Sequence, residues 1–272
     1  VHVSDLVAWC NIDRGNAIFN YYYDLYIGDV LASEITIPDE ITEIKHNTFY
    51  ACKSLVSVVI PNSVTSIGER AFYGCSGLTN IEIPNSVTSI ESFAFYGCTG
   101  LTSIVIPNSV ASIGDYAFRD CTGLTSVEFN AENCTSMGEI GGTLFYGCNA
   151  LSTVTIGENV KTIPSNAFCD CTGLTSIVIG NSVTSIGDMA FYGCTGLKTV
   201  YNFSNLKFSK GSSNYGDIAY YADKVYNLSN GSIEGDFIFG NLNGTNTLLY
   251  YLGNATELTL PADYNGENYA IG

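Results

Sequence analysis

The sequence predicts a β-dominated solenoid with one parallel strand in each repeat of 23 residues and with little helix. The first observation is self-similarity, because the block Cys75–Ile90 returns almost unchanged as Cys98–Ile113. One such unit cannot bury its own apolar face, so it has to stack on a neighbouring copy. The second observation is that each repeat has room for short strands but for no long helix.

Each repeat contains a strand, a turn, a second extended segment and a tight final turn. Within Leu101–Ile106 apolar and polar side chains alternate, which is the period of a β-strand. The sequence Pro-Asn-Ser ends this strand as a turn. Val110–Ile113 is expected to be a second short extended segment, and Gly114–Cys121 is too short for more than one helical turn.

Three apolar positions form rows that meet only if the coils stack in register, and these rows are the predicted core. The leucine row is Leu55, Leu78, Leu101, Leu124, Leu151, Leu174 and Leu197. The isoleucine row is Ile67, Ile90, Ile113, Ile140, Ile163 and Ile186. The phenylalanine row is Phe49, Phe72, Phe95, Phe118, Phe145, Phe168 and Phe191.

The chain is predicted to divide into four parts. Residues 1–34 lack the repeat, contain Trp9 and are expected to cap the first coil; residues 35–200 are the repeat array. Residues 201–257 are a hairpin-rich interruption, and residues 258–272 begin a second array that stops in mid-coil. One coil of the main array carries four extra residues within 130–139, which are expected to form an edge loop.

The hairpins are predicted from turn signals and from an internal echo. Asn230-Gly231 and Asn243-Gly244 are two-residue turn signals beside apolar runs. Ile27-Gly-Asp29 before the first array resembles Leu252-Gly-Asn254 before the second, so each is expected to belong to a hairpin that starts an array.

The composition argues against two classes of partner. With 26 acidic and 10 basic residues the net charge is −16, so the protein repels phosphate backbones and anionic headgroups. Nucleic-acid binding and membrane-surface binding are therefore not expected. There is no run of 18 apolar residues that could span a bilayer. A start at Val1 fits a processed exported protein and a trimmed chain equally well.

Seven of the ten cysteines belong to the repeat and are predicted to form a buried ladder of free thiols. Neighbouring coils would bring their Cα atoms about 5 Å apart, but their Cβ vectors run parallel and do not face each other. Cysteine usage therefore does not identify a compartment. The ladder is Cys52, Cys75, Cys98, Cys121, Cys148, Cys171 and Cys194.

The pattern Leu-x-x-Ile-x-Ile-Pro-x-x-Val-x-x-Ile-Gly-x-x-Ala-Phe-x-x-Cys resembles the BspA-like leucine-rich repeats, which also occur in treponemal surface proteins. The resemblance covers about residues 35–200 and the stub after 258. It implies a right-handed, curved leucine-rich-repeat solenoid in secreted or cell-surface proteins of bacteria, with adhesion to host matrix proteins in some members. It transfers no binding residues, because the family motif consists of core positions.

The exposed positions of the stacked strands are the first candidate binding surface, since a repeat protein usually binds through its concave sheet. Several of these exposed positions hold valine, which the β-propensity of valine on a solvated sheet would also explain. This strand lane comprises Thr36, Val59, Glu82, Val105, Glu128, Thr155, Val178 and Tyr201.

A second lane of tyrosines is the other candidate, because tyrosine offers a rigid apolar face with a polar tip. In the alternative interpretation these tyrosines have a structural role and pack along the edge of the phenylalanine row. The tyrosine lane is Tyr50, Tyr73, Tyr96, Tyr146 and Tyr192, and it is interrupted by Arg119 and Cys169.

Catalytic and metal sites find little support in the sequence. Glu82 and Glu128 would lie about 10 Å apart with a valine between them, which does not suit a glycosidase pair. Cys169 is expected to be exposed, but His46 belongs to a coil five steps away, so no cysteine nucleophile is assembled. Neither a zinc motif nor a calcium loop is present, and no cofactor is expected.

These observations favour a non-catalytic recognition scaffold on the cell surface or in secreted form. The leading partner class is protein, either an extracellular protein or a protein of the host matrix. A glycan-binding module and a structural spacer are the alternatives. A mixed apolar and polar strand lane would favour protein, a flat aromatic platform would favour glycan, and a uniformly polar surface would favour the spacer.

Overall fold

The computed structural model describes residues 1–12, 22–134, 143–228, 232–234, 237–242, 245–251, 260–261, 263 and 268–271. It shows a β-solenoid of about 10 turns with parallel strands about 23 residues apart. The single helix among these residues is α1 (Leu6–Asn11), which begins at the N-cap Asp5. In chain order the strands are β1 (His2–Val3), β2 (Tyr26–Ile27), β3 (Val30–Leu31), β4 (Glu34–Thr36), β5 (Glu43–Ile44), β6 (Ser57–Val59), β7 (Ser66–Ile67), β8 (Asn80–Ile81), β9 (Ser89–Ile90), β10 (Ser103–Ile106), β11 (Ser112–Ile113), β12 (Ser126–Phe129), β13 (Thr153–Ile156), β14 (Thr162–Ile163), β15 (Ser176–Ile179), β16 (Ser185–Ile186), β17 (Thr199–Asn202), β18 (Lys224–Asn227), β19 (Ser232–Glu234), β20 (Phe237–Leu242), β21 (Thr245–Tyr251) and β22 (Ala270–Ile271).

Most coils contribute one strand to a main sheet and a second, two-residue strand to a smaller sheet. The main sheet consists of β4-β6-β8 and β10-β12-β13-β15-β17-β18, and every pair in it is parallel. The smaller sheet consists of β5-β7-β9-β11 and β14-β16. In β10, Ile104 and Ile106 are buried while Val105 is exposed, so the predicted alternation is confirmed.

The phenylalanine row is a continuous stack through the array. All seven rings are fully buried, and neighbouring rings have centroids 5.1–5.6 Å apart with interplanar angles of 5–19°. Offset-stacked rings at this distance add to the stabilisation that burial provides. The row therefore fixes both the spacing and the register of the coils. The leucine row is likewise buried.

The cysteine ladder is buried and its thiols are free, as predicted. The structure adds the reason for a thiol at this position. In six of the seven, the Sγ–H donates a hydrogen bond to the carbonyl oxygen of a phenylalanine one coil earlier, so the polar group is satisfied inside the core, while Cys52 contacts Ser54 Oγ at 3.5 Å. The pairs are Cys75–Phe49 at 3.0 Å, Cys98–Phe72, Cys121–Phe95, Cys148–Phe118 and Cys194–Phe168 at 3.1 Å, and Cys171–Phe145 at 4.0 Å.

The N-terminal segment packs on the first coil. Trp9 is buried within the main core cluster, and its indole N–H donates to the carbonyl of Thr48 at 3.1 Å. The expected hairpin at Ile27-Gly-Asp29 is present, since β2 and β3 pair antiparallel and Gly28 has φ +62°. Its echo at 252–254 lies outside the described residues.

The parallel sheet extends beyond residue 200, because β18 pairs with β17 in the same parallel register. This extra coil lacks the repeat sequence. Where β15 has Ile179, β17 has the buried Asn202, whose amide donates to the Leu206 carbonyl at 2.6 Å and to Asn227 Oδ1 at 2.8 Å. The amide of Asn227 donates to the Phe208 carbonyl at 3.1 Å. Asparagine side chains thus replace an apolar row and hold the loop 203–208.

Beyond this coil the chain forms two antiparallel hairpins, β19-β20 and β20-β21. The second joins its strands at the predicted Asn243-Gly244, whereas the first joins them at 235–236 and not at Asn230-Gly231. The turn residues Asn230-Gly231 and Asn243-Gly244 lie outside the described residues. So do Ile140, most of the four-residue insertion and most of the second array at 258–272.

We expect Phe118→Ala to lower the free energy of unfolding by about 3–5 kcal/mol, because it removes a buried ring that stacks on two neighbours. Denaturant unfolding measures the change. A loss below about 1 kcal/mol would contradict the stacked register.

The cysteine ladder should also make stability fall at alkaline pH. Burial raises the pKa of Cys98 to about 12 from an ordinary value of 9.0. The unfolded chain therefore ionises first, so the contribution to stability is complete below pH 9 and is lost as the pH rises towards 12. We expect Cys98→Ala to reduce the loss between neutral pH and about pH 10.5 by roughly 1–2 kcal/mol. Parallel pH-dependent slopes for the wild type and the variant would contradict this.

Candidate interaction surface

The strand lane forms one side of the main sheet, and its N-terminal part is open to solvent. Val59 and Val105 are 57% and 47% exposed, and Glu82 and Glu128 are also exposed. Thr155 is half-buried. Because β10, β12 and β13 pair in register, Val105, Glu128 and Thr155 lie side by side.

The C-terminal part of the strand lane is covered, and the predicted exposure of Val178 and Tyr201 is wrong. They are 2% and 5% exposed. They belong to a small apolar cluster with Leu228 and with Ile238 of β20, against which Leu249 of β21 also packs. The hairpins therefore close the lane after Thr155, so neither residue is available to a partner.

A groove runs beside the open part of the lane. Its larger section, of about 510 Å³, lies between the exposed strand residues and the turns that follow the strands. A smaller section of about 270 Å³ continues it towards Val59 and Asn62. The larger section is lined by Glu82, Ile83, Asn85, Val105, Pro107, Asn108, Asn130, Glu132, Gly157, Glu158 and Asn159.

Residues of the turns that follow the strands, which were not among the predicted binding residues, contribute most of the lining of the larger section. Asn85 and Asn108 follow the proline of two successive Pro-Asn-Ser turns, so the repeat places them at one edge of the groove. Asn130 stands where those coils have proline, and its amide donates to Glu128 Oε1 at 2.7 Å. Gly157 in the next coil leaves room for the Asn130 side chain, with which a Cβ would overlap. The sequence could have revealed these residues, because each lies at a fixed number of positions after the strand of its own coil.

The groove is acidic. Glu82, Glu132 and Glu158 line its larger section together with asparagine amides, and no lysine, arginine or histidine lines either section. Glu82 and Glu128 stand on either side of the strand that carries Val105. Among the described residues no group of three or more histidine, cysteine, aspartate or glutamate side chains is arranged to hold a metal ion. The surface thus combines carboxylates, amides and two exposed valines.

The tyrosine lane is a ladder whose rings cover one another. Tyr50 stacks on Tyr73 and Tyr73 on Tyr96, with centroids 4.8 and 4.7 Å apart and interplanar angles of 7° and 2°. These three rings are half-buried, whereas Tyr146 and Tyr192 are exposed. Rings in such a stack show solvent their edges, not their faces. A hydrogen bond to Asp120, followed by burial, raises the pKa of Tyr96 to about 12.

The two interruptions of the tyrosine lane differ. Arg119 places its guanidinium over the Tyr146 ring, 4.8 Å from the centroid. Cys169 is 3% exposed, so its predicted exposure is wrong. His46 lies near Glu69 and Glu91, at 3.9 and 3.4 Å, several coils from Cys169.

The family comparison agrees with the geometry. The chain matches the BspA type leucine rich repeat region in six copies, over residues 26–139 and 90–218. It therefore belongs to the BspA-type leucine-rich repeat family, which is generally a recognition fold. A comparison with curated proteins gave no match.

Solved structures of bacterial leucine-rich repeat proteins share the fold. The T. pallidum leucine rich repeat protein TpLRR is 32% identical with a TM-score of 0.52, and the match covers 61% of this chain and 78% of that one. A leucine-rich repeat protein from Eubacterium ventriosum is 21% identical with a TM-score of 0.50, covering 78% of this chain and 64% of that one. The second likeness supports the fold alone.

Within the described part of the chain, α1 is too short to cross a membrane and no longer apolar helix occurs.

We expect Ile238→Ala to lower the stability of the hairpins by about 2–4 kcal/mol, because Ile238 is fully buried against Val178 and Tyr201. Hydrogen exchange of the β20 amides should accelerate while exchange in β10 stays unchanged. Val59→Ala is the matched control, and this exposed residue should change stability by less than about 0.5 kcal/mol. Equal exchange rates in β20 for the wild type and Ile238→Ala would contradict the covering role.

Proposed function

We propose that this protein is a non-catalytic recognition scaffold, secreted or attached to the bacterial cell surface, that binds an extracellular or host matrix protein. The binding surface is the open part of the strand lane, on the face of the main sheet that is expected to be concave. The observation that supports this is the groove lined by the exposed Val59, Glu82 and Val105, with Glu128 beside Val105 on the strand lane.

The groove is a better candidate than other faces because the fold does not dictate its residues. Core positions keep the same residue type in nearly every coil, since each side chain stacks on its own copy. The strand lane changes from threonine to valine and glutamate between adjacent coils at the same register position. Variation of this kind gives each coil its own contact, as in other repeat proteins.

The chemistry of the groove favours one kind of protein partner. Carboxylates without basic neighbours favour a surface that carries lysine or arginine, and the exposed valines favour an apolar group at the centre of the contact. The net charge of −16 extends this preference over longer distances. A basic, partly apolar protein surface fits these features, whereas nucleic acid is repelled.

The two alternatives are less well supported. Glycan recognition through the tyrosine lane requires open ring faces, but Tyr50, Tyr73 and Tyr96 cover each other's faces. A spacer would need no groove that mixes valines with carboxylates. Membership of a recognition family and the groove both favour binding.

The partner class can be tested by screening the purified chain against extracellular matrix proteins and a glycan array. Binding to a matrix protein that weakens as salt rises is the expected result, because carboxylate contacts in the open groove are screened. Glycan binding alone would contradict the proposal.

For a protein partner so identified, we expect Val105→Asp and Val59→Asp to weaken binding by several kcal/mol, because each places an unpaired charge in the contact. The melting temperature should hardly change, since both side chains are exposed. Val56→Asp is the matched control, because Val56 is an exposed valine outside the groove lining. Unchanged affinity for both groove variants, with loss for Tyr96→Ala, would place the site on the tyrosine lane.

A further inference from the structure

The open part of the strand lane repeats its chemistry at every second coil. Val59, Glu82, Val105 and Glu128 stand in four successive coils, so valine and glutamate alternate, and all four side chains are exposed. Val105 pairs with Glu128 in the sheet, and Glu82 lines the same section of the groove as Val105. Because neighbouring strands are about 4.8 Å apart, each carboxylate recurs after about 9.6 Å.

A row of asparagines runs along the groove beside this lane. Asn62, Asn85 and Asn108 hold the same position in three successive Pro-Asn-Ser turns, and all three line the groove. They are exposed, and among the described residues their side chains have no hydrogen-bond partner. A primary amide both donates and accepts hydrogen bonds. These coils therefore each offer one unpaired amide to a bound chain.

The spacing of the carboxylates selects one backbone conformation of a bound segment. In a polyproline II helix every third side chain lies on the same face, and these side chains are about 9.3 Å apart. This distance matches two coils to within about 0.3 Å. An α-helix repeats a face after two turns, about 10.8 Å, and a β-strand repeats one after about 6.7 Å. Of the three conformations, polyproline II therefore stays in step with the lane.

The asparagine row favours the same conformation for a separate reason. A polyproline II segment makes no internal hydrogen bonds, so its backbone carbonyls remain available as acceptors. The amides of Asn62, Asn85 and Asn108 can donate to such carbonyls. An α-helix has already used its backbone groups internally and leaves these amides without a partner.

The side chains of the lane select the residues of the segment. No lysine, arginine or histidine lines either section of the groove, so Glu82 is not neutralised by a basic side chain there. A basic residue at every third position places one cation at Glu82 and the next at Glu128. Prolines between them present aliphatic rings to Val59 and Val105. Proline also fixes φ in advance, so such a segment loses little conformational entropy on binding.

We propose that the groove binds a proline-rich segment of a protein partner in the polyproline II conformation, with arginine or lysine at every third position. From Val59 to Gly157 the groove spans five coils, about 19 Å, which corresponds to about six residues of the segment. This inference rests on the proposed function, because it specifies which kind of segment the same groove recognises.

The test compares peptides of equal composition that differ in the spacing of two arginines. The probe is acetyl-Pro-Pro-Arg-Pro-Pro-Arg-Pro-Pro-amide, and its control is acetyl-Pro-Pro-Pro-Arg-Arg-Pro-Pro-Pro-amide. Nuclear magnetic resonance titration of the isotope-labelled intact chain gives both the affinity and the location of binding. We expect the probe to shift the backbone signals of Val105 and Glu128 and to bind at least about two- to fivefold more tightly than the control, the effect of one exposed ion pair.

A third peptide isolates the contribution of the backbone conformation. It keeps the arginine spacing of the probe but has glycine in place of every proline. It should bind more weakly than the probe, because a flexible chain loses more conformational entropy when it is ordered.

Variants of the protein test the two-coil spacing. Glu82→Gln and Glu128→Gln should each weaken binding of the probe about two- to fivefold. Asp188→Asn is the matched control, because it removes an exposed carboxylate outside the groove lining and should leave the affinity unchanged. The double variant Val105→Glu with Glu128→Val keeps the net charge but places two carboxylates in adjacent coils. It should lose the preference for the probe over its control, and melting curves show that each variant is folded.

Three results would overturn this inference: no binding of the probe, equal affinity of the wild type for the probe and its control, or a preference that survives in the double variant. Each of them leaves the proposed function standing if a matrix protein binds in the screen and Val105→Asp weakens that binding. Tighter binding of an alanine-rich helical peptide with arginines seven residues apart would also overturn it and would identify a helical partner.

Discussion

The lateral contact between neighbouring coils is the interaction on which the rest of the structure depends. Each phenylalanine ring stacks on the next at 5.1–5.6 Å, and the carbonyl beside it accepts a thiol hydrogen bond from the following coil. Close approach also explains the glycine that stands two residues after five of the seven ladder cysteines. At Gly123, for example, a Cβ would overlap with the carbonyl oxygen of Thr99 in the preceding coil. A coil can therefore differ from its neighbours only where its side chains leave this contact.

Where a coil does deviate, the next coil accommodates the change. Asp120 takes the position of a glycine, and Gly147 follows it one coil later without a Cβ that would meet the carboxylate. Asp170 with Gly193, and Asn130 with Gly157, repeat the relationship. A larger side chain in one coil is thus accompanied by a glycine at the corresponding position of the next coil. It creates local surface chemistry, such as an asparagine beside Glu128, while the core rows remain constant.

The sequence was sufficient for the parts of the fold that rest on repetition. Strand alternation, the phenylalanine stack and the buried thiols all follow from one residue type at a fixed spacing. The covering of Val178 and Tyr201 did not follow, because Ile238 and Leu228 belong to segments without the repeat and reach the lane only through tertiary packing. The coil that ends in β18 was also missed, since Asn202 and Asn227 satisfy each other there with hydrogen bonds that an apolar pattern cannot reveal. Which part of the candidate surface is open therefore depended on non-local contacts.

The packing of the hairpins on the strand lane also limits how much of that lane a partner can contact. Because the hairpins occupy the main sheet from β15 onward, a partner on that sheet can use only the coils up to Thr155. The tyrosine lane is not covered in this way, and its rings at Tyr146 and Tyr192 are the most exposed of the five. The two surfaces therefore offer their accessible chemistry in different regions of the array: carboxylates and valines towards the N-terminal coils, and the two most exposed tyrosines towards the C-terminal coils. A partner that spans several coils could contact one surface without competing for the other.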